Sequence, residues 1–569
     1  MPRIFHLHIE NFRGIEKFDH CFNPGLTCII GRGNSGKTTI LDAISYVLTP
    51  MHTIPFHDGD FYNCNIENPI IIEVTLVGLS EEILRKFGDR IRGVRGEEII
   101  SSMTNPTAQE EGVEDAVTIR LKVEKDLEPV WEVIGDEGVE PRIVRASERE
   151  LFNCFYISEY TDRHFTLSKG SPLSSLFRQK ADKKSEVLNA ELIAQLSRDT
   201  KQGFESAIGM PEVFNDVIKD ISKNASELGI STGTVKASID QREFLLKDNK
   251  IALHQDDIPL RQLGKGSKRL LSLAIQLSLT DPSGIILIDE IEQGLEPDRV
   301  QHIVSLLKKK TGLQVILTTH SSNAIVELSC SDLYIRRNQT NGLINIPSTD
   351  EMQGTLRKNP EAFFAKRVIM CEGATEVGII RGLNEYLLRP KGMNLAKLGV
   401  RYADGTGKNL TNYVTEFNRL GYPICLFCDS DAPDVNDKKA GFRAIGVVIV
   451  DCEGKLALEQ QLFKDLPWIS IKKLIEYYLN ESHNNTKTLY NNLRSYIVKD
   501  IQYSEDWWKI ELPILRNVFG NVAKSAGWYK NITHGDYVAS VIVENLEATN
   551  PSFLYNMVNN LTEWMLKQE

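Results

Sequence analysis

Short, unbroken apolar runs punctuate the chain, and most of them stop at a glycine or an acid. "LTCII" precedes a glycine-rich turn, and "ILDAISYVL" then carries apolar residues at helical spacing. Ile285 to Ile288 run into Asp289-Glu290, and "QVILTT" runs into His320. Further on, Val368 to Cys371 end at Glu372, "VRYA" ends at Asp404-Gly405, and "PICLFC" ends at Asp429 and Asp431. Apolar runs of this length, bounded by turn residues and free of alternation, predict strands buried on both faces, as in a parallel α/β sheet. The segment "SLFRQKADKKSEVLNAELIAQLSRDTKQGFESAIGMPEVFNDVIKDIS" has a different pattern: polar, partly amphipathic, two or three helices. A polar, turn-rich stretch over 338–350 separates the two groups of strands.

Length and composition set limits on this picture. With 569 residues, 41% of them hydrophobic, the chain can bury several cores. A net charge of −11 excludes a uniformly basic coat for nucleic acid, though not a local groove or bound metal ions. Nine scattered cysteines suit a reducing compartment. Cys425 and Cys428 form a CxxC, but inside an apolar run and without a second pair at zinc spacing, so they read as buried strand residues. The start "MPRIFHLHIENFRG" lacks a leader's apolar core, and no run is long enough for a membrane span. A soluble cytoplasmic protein is expected, with no membrane role.

The first glycine turn fits GxxxxGK[ST] through Gly31, Gly36, Lys37 and Thr38, with Asn34 and Thr39 in and beside it. Backbone N–H groups in such a turn close on phosphate oxygens at a helix N-terminus, Lys37 reaches the β- and γ-phosphates, and Thr38 ligates Mg²⁺. ATP and Mg²⁺ are therefore expected, with Asp289 a second Mg²⁺ ligand and Glu290 polarising the attacking water. About 250 residues separate Lys37 from Asp289, more than a compact P-loop domain needs.

The second acid group has a different chemistry. Glu372 and Glu376 stand four apart across a strand-to-helix turn, and can point into one pocket. Asp404, Asp429 and Asp431 end neighbouring strands, and acids at strand C-termini share one crevice of an α/β sheet. Crowded hard oxygen donors suit Mg²⁺ or Mn²⁺.

These motifs carry a resemblance. The long P-loop spacing, the turn-and-helix segment "RQLGKGSKRLLSLAIQL", His320 as a switch histidine and "IENFRGIEKF" resemble ATP-binding-cassette heads of chromosome-maintenance and recombination ATPases. That resemblance implies that Gly264 and Gly266 cap a nucleotide held by a partner subunit, although Gly264-Lys265-Gly266 replaces the usual Ser-Gly-Gly. The order Glu-Gly, Asp-Gly, Asp-x-Asp resembles the Toprim fold, and the combination resembles the OLD family (overcoming lysogenisation defect) of ATP-linked endonucleases. The resemblance implies an α/β fold: an ATPase head over 1–168 and 239–350, a helical dimerisation insert over 169–238, and a Toprim domain over 351–569 with helices inserted at about 466–520. It implies Glu459 as an acid for a second metal and Lys530 as the lysine near the scissile phosphate, with Lys524 as the alternative. DNA would be the substrate, cleaved with two metals held by Glu372, Glu376, Asp429, Asp431 and Glu459. Partners implied are a second copy of the chain and, in some members, a helicase or a reverse transcriptase. A competing expectation is a DNA clamp whose acidic domain is structural. The aromatics of "EDWWKI" read as core.

Overall fold

The apolar runs that stop at glycine or acid all become strands. Leu26–Ile30, Gly284–Ile288, Leu313–Thr318, Arg367–Cys371, Val400–Asp404 and Ile424–Phe427 are extended, and most of their residues are buried. The computed structural model describes the chain apart from residues 1, 51–53, 101–111, 137, 166–170, 174–194, 196–252, 256, 280–283, 408, 484, 494–503 and 568–569. The expected insert over 169–238 falls almost wholly outside the described residues. The chain divides into two compact units, one of Met1–Thr27, Thr38–Val300 and Leu306–Thr318, the other of Cys28–Lys37, Gln301–Ser305 and Thr319–Glu569. This division groups the P-loop turn with the C-terminal part, where the sequence suggests a break near 350.

The first unit contains a largely antiparallel sheet. Arg3–Phe12 pairs with Ile15–Cys21 on one side and Ile70–Val77 on the other, and Glu114–Val123 joins Ile70–Val77 to Pro129–Ile134. Leu7 and Ile9 are buried while His8 and Glu10 lie on the other face, the alternation of a sheet with one wet side. That wet face is tied by cross-strand ion pairs such as Arg120 to Glu132 at 2.8 Å. The same unit holds three strands in parallel, Cys154–Ile157, Gly284–Ile288 and Leu313–Thr318, the last two apolar and buried along their lengths.

In the second unit, Leu333–Arg336 pairs in parallel with residues 28–30 and antiparallel with Leu343–Asn345. A four-stranded parallel sheet follows, in the order Val400–Asp404, Arg367–Cys371, Ile424–Phe427, Val448–Val450. The register aligns Cys371 with Asp404 and Phe427, and Phe427 with Val450, so the strands end together. Every chain segment leaving these tips enters one crevice.

Behind this sheet one apolar core runs from Ile369 and Phe427 through Trp468, Trp507 and Phe519 to Trp528. The helices Trp468–Glu481, Thr486–Leu493 and Pro513–Ala526 contribute to it, together with Ile532–Glu544 and Phe553–Leu566. Trp507 and Trp508 are each 3% exposed, and Trp507 stacks on Phe519 at 5.6 Å, so these rings are core, as their sequence suggests. Among the described residues no helix is long and apolar enough to cross a membrane.

Candidate active sites

The P-loop turn is held by its own lysine. Lys37 Nζ donates to the Gly31 carbonyl at 3.0 Å and the Arg32 carbonyl at 2.9 Å, so the buried ammonium lies inside the loop that would receive phosphate. His320, Gly31, Arg32 and Gly33 line one cleft of about 390 Å³, which places His320 beside the turn. Asn34 and Thr38 are exposed, while Gly36 and Thr39 are half-buried. Thr38 Oγ1 lies 3.0 and 3.1 Å from the two Asp289 oxygens, the pair expected to share Mg²⁺.

Asp289 also accepts from Thr318 Oγ1 at 2.7 Å, and Thr318 in turn accepts the Glu290 N–H at 2.8 Å. Sequence reasoning passes over Thr318; its signal is a hydroxyl ending the strand beside Asp289. Glu290 itself sits at φ +46°, a left-handed backbone that a non-glycine residue adopts only under constraint. The constraint is visible: buried Arg269 donates to the Asp289 carbonyl, to the Glu290 carbonyl at 3.0 Å and to Gln293 Oε1 at 3.2 Å. Burial lowers the Arg269 pKa, with the acids at 289, 290 and 292 opposing. Arg269 lies on the helix Lys265–Leu279 that opens at the signature turn. Gly266 is pressed against Gly294, where a Cβ would lie 2.4 Å from the Gly294 oxygen, whereas Gly264 borders open space. The signature helix and the Asp289-Glu290 turn are thus one packed piece.

At the tips of the four-stranded sheet, the local fold turns carboxylates inward. Glu376 is the third residue of the helix Ala374–Gly382, and it accepts the Gly373 N–H at 2.9 Å, capping that helix. Glu372 accepts the Asp429 N–H at 2.9 Å, and Asp429 accepts the Leu458 N–H at 2.8 Å at the start of the Leu458–Asp465 helix. Glu459 follows on that helix and is 5% exposed. Asp431 pairs with Lys524 at 2.5 Å.

Burial and mutual repulsion set the proton affinity of this group. Burial, then Glu376, Glu372 and Glu459, push Asp429 up to about 9. Burial, with Glu372 and Glu459 nearby, raises Glu376 to about 7. Glu372 and Glu459 are also raised, by burial first, with Asp431 adding repulsion and Lys530 opposing in both cases. Four acids that each raise or are raised by the others share one electrostatic pocket.

A divalent cation suits that donor set: the oxygens are hard, crowded and drawn from water. In this arrangement one oxygen each of Glu372, Glu376 and Asp429 holds a backbone N–H, and among the described residues no three acids already stand as a finished ligand cage.

Asp404 stands apart from the group the sequence assigns it to. Its carboxylate pairs with Lys358 at 2.7 Å and accepts the Thr406 N–H at 2.8 Å.

Both candidate lysines are at the site. Lys530 is exposed, on the turn that enters the helix Ile532–Glu544, and Thr375 Oγ1 donates to the neighbouring Tyr529 carbonyl at 2.9 Å. That helix meets Ala374–Gly382 at glycines: a Cβ on Gly378 would lie 2.3 Å from the Ile532 oxygen.

Comparison with known proteins gives matches to both parts. A profile described as "AAA ATPase domain" covers residues 3–154, and one described as "AAA domain, putative AbiEii toxin, Type IV TA system" covers 175–327. "Overcoming lysogenization defect protein-like, TOPRIM domain" covers 363–431. The chain is 22% identical to the "Retron Ec83 probable ATPase" of Escherichia coli, over 59% of this chain and 72% of that protein. It is 24% identical to "DNA replication and repair protein RecF" of Oenococcus oeni, over 55% of this chain and 92% of that one. Among solved structures, an Smc head bound to the C-winged helix domain of ScpA aligns at TM-score 0.34 and 18% identity, over 62% of this chain and 99% of that one. AAA ATPase matches thus lie ahead of an OLD-like Toprim match, the acids at 372, 376, 429 and 431 fall at the tips of a parallel sheet in that last stretch, and the chain is similar to OLD-family ATPase–Toprim proteins.

Proposed function

We propose that the chain is an ATP-regulated, divalent-metal-dependent DNA endonuclease, a role that the family resemblance links to defence against bacteriophage. The observation that carries this reading is the carboxylate group at the sheet tips, Glu372, Glu376, Asp429, Asp431 and Glu459, with Lys524 and Lys530 beside it.

Bound there, divalent ions would supply an activated water and stabilise charge on the leaving oxygen. Glu372, Asp429 and Asp431 would hold one ion, Glu376 and Glu459 the other. Lys530 would steady negative charge on the scissile phosphate, and Lys524, released from Asp431, could share that work. The Gly373 and Leu458 N–H groups hold Glu376 and Asp429 in orientation while their remaining oxygens face a ligand. In the ATPase part, Lys37, Thr38 and Asp289 would bind ATP and Mg²⁺, with Glu290 polarising water. Gly264 and Gly266 would complete the site of a second copy, and His320 would contact the γ-phosphate.

Supercoiled plasmid incubated with Mg²⁺ or Mn²⁺, with and without ATP, tests this reading. Cleavage by wild type that disappears in Glu372→Ala supports the nuclease, and Lys37→Ala then gives the sign of the ATP effect. Equal cleavage by Glu372→Ala sinks it. A second reading draws on the matches to RecF proteins over 55% and 57% of this chain: an ATP-driven DNA clamp. It predicts ATP-dependent retention on DNA with no metal-dependent cut.

A further inference from the structure

A buried ammonium lies behind the Asp429–Asp431 turn, outside the stretch matched to the Toprim profile. Lys439, on the helix Pro433–Ala444, is 6% exposed. Its Nζ donates to Asp451 Oδ2 at 2.8 Å, to Asn436 Oδ1 at 2.6 Å and to Ser430 Oγ at 3.4 Å. Ser430, the residue between the two aspartates, is 2% exposed. Its Oγ donates to the Cys452 carbonyl at 2.6 Å, and its own carbonyl accepts from Asn436 Nδ2 at 2.9 Å. Its N–H donates to the Leu456 carbonyl at 3.1 Å. The middle of the Asp-Ser-Asp turn is thereby fixed by groups that touch Lys439 or follow Asp451 in the chain.

Lysine is among the residues least often buried, and an ammonium drawn from water carries a penalty of several kcal/mol unless paired and hydrogen-bonded. A core that needed only to be filled would place an apolar residue here. The lysine's charge also reaches the acid group, where it opposes the burial that raises Glu372.

We propose that Lys439 and Asp451 form a positioning pair for divalent-cation binding. The pair holds the Ser430 turn so that Asp429 and Asp431 present their carboxylates to the same ion as Glu372. Lys439 is no ligand itself, because an ammonium has three donors and no acceptor. The inference rests on the metal reading above.

The test uses the full chain without nucleotide, titrated with Mn²⁺ alone and followed by calorimetry and by the electron paramagnetic resonance of free Mn²⁺. Glu372→Ala supplies the baseline. Lys439→Met is expected to weaken the Glu372-dependent binding by about 10- to 100-fold, the usual effect of removing a group that orients metal ligands. Asp451→Asn, nearly isosteric, is expected to weaken it in the same direction. The double variant Lys439→Met/Asp451→Leu removes both charges, leaving no unpaired buried ion, so its melting temperature should recover while Mn²⁺ binding stays weak. If the double variant regained wild-type Mn²⁺ affinity, or if Asp451→Asn and folded Lys439→Met bound like wild type, the pair would be only a structural tie and the inference would fall. A wild type whose Mn²⁺ isotherm matched that of Glu372→Ala would overturn the metal reading, and this inference with it.

Discussion

Around Asp289, one carboxylate faces two hydroxyls, Thr38 and Thr318, and its turn is clamped from behind by Arg269. At the tips of the four-stranded sheet, five carboxylates lie near two lysines, and burial first, then neighbouring acids, raises Asp429 to about 9 and Glu376 to about 7. In the first arrangement the Asp289 carboxylate is held by hydroxyl donors and its turn by a guanidinium. The second is complete only with added positive charge, from protons or from metal. Two acid-bearing strand ends in one chain therefore serve different ends: one carboxylate positions, the other group concentrates charge.

The largest effect should come from removing a member of the crowded group. Asp429→Ala is expected to lower metal-dependent plasmid cleavage by at least about 10³-fold, as loss of a metal ligand does, while binding of a fluorescent ATP analogue stays at the wild-type level. Loss of nucleotide binding in this variant would mean that the two sites are not separable as described. Next, Lys37→Ala should weaken the analogue by roughly 10- to 100-fold, the worth of one or two charge-assisted bonds, with Mn²⁺ binding at the sheet tips unchanged.

A smaller effect should follow from packing. Gly378→Ala forces a methyl group into the Ile532 carbonyl, so thermal melting should register a loss of about 1–3 kcal/mol. An unchanged melting temperature would show that the two helices can part at little cost.

The smallest effect is in the pH dependence of stability without metal. Asp429 and Glu376 have folded pKa values raised to about 9 and about 7, above their ordinary carboxylate values. The folded state therefore binds more protons than the unfolded one across that interval. Their contribution is fully present below about pH 4 and is lost as pH rises through 7 towards 9. In EDTA, melting should fall by on the order of a few °C over this window, and Asp429→Asn should flatten the slope. Saturating Mg²⁺ should reduce it in wild type, since the cation takes the protons' place.

The P-loop, the Asp289-Glu290 turn and the acids at 372, 376, 429 and 431 were legible in the sequence because each sits within a few residues of an apolar run that fixes its strand. Glu459 and Lys524 lie on separate helices and Lys530 on a turn, so the sequence named them through the family resemblance alone, without a strand to fix their place. Asp404 carries the same strand-then-Asp-Gly pattern as a ligand would, yet Lys358, from a helix 46 residues earlier, takes its carboxylate. Pattern reading has no access to such long-range pairing. The same holds for Arg269, whose four acceptors come from two separate segments, Ser158 and the turn over 289–293.

The glycine contact between Ala374–Gly382 and Ile532–Glu544 has a mechanical consequence. Backbone meets backbone at Gly378 and Gly535, so the two helices pack closer there than ordinary side chains allow. Glu376 rides at one end of this pair, and Lys530 enters it from the adjoining turn, anchored through Thr375. The close approach of the two helices thus ties the acid and the turn that carries the lysine to one packed pair of elements. The opposite wall is built separately, from the Asp429–Asp431 turn held through Ser430 and from the helix that carries Glu459.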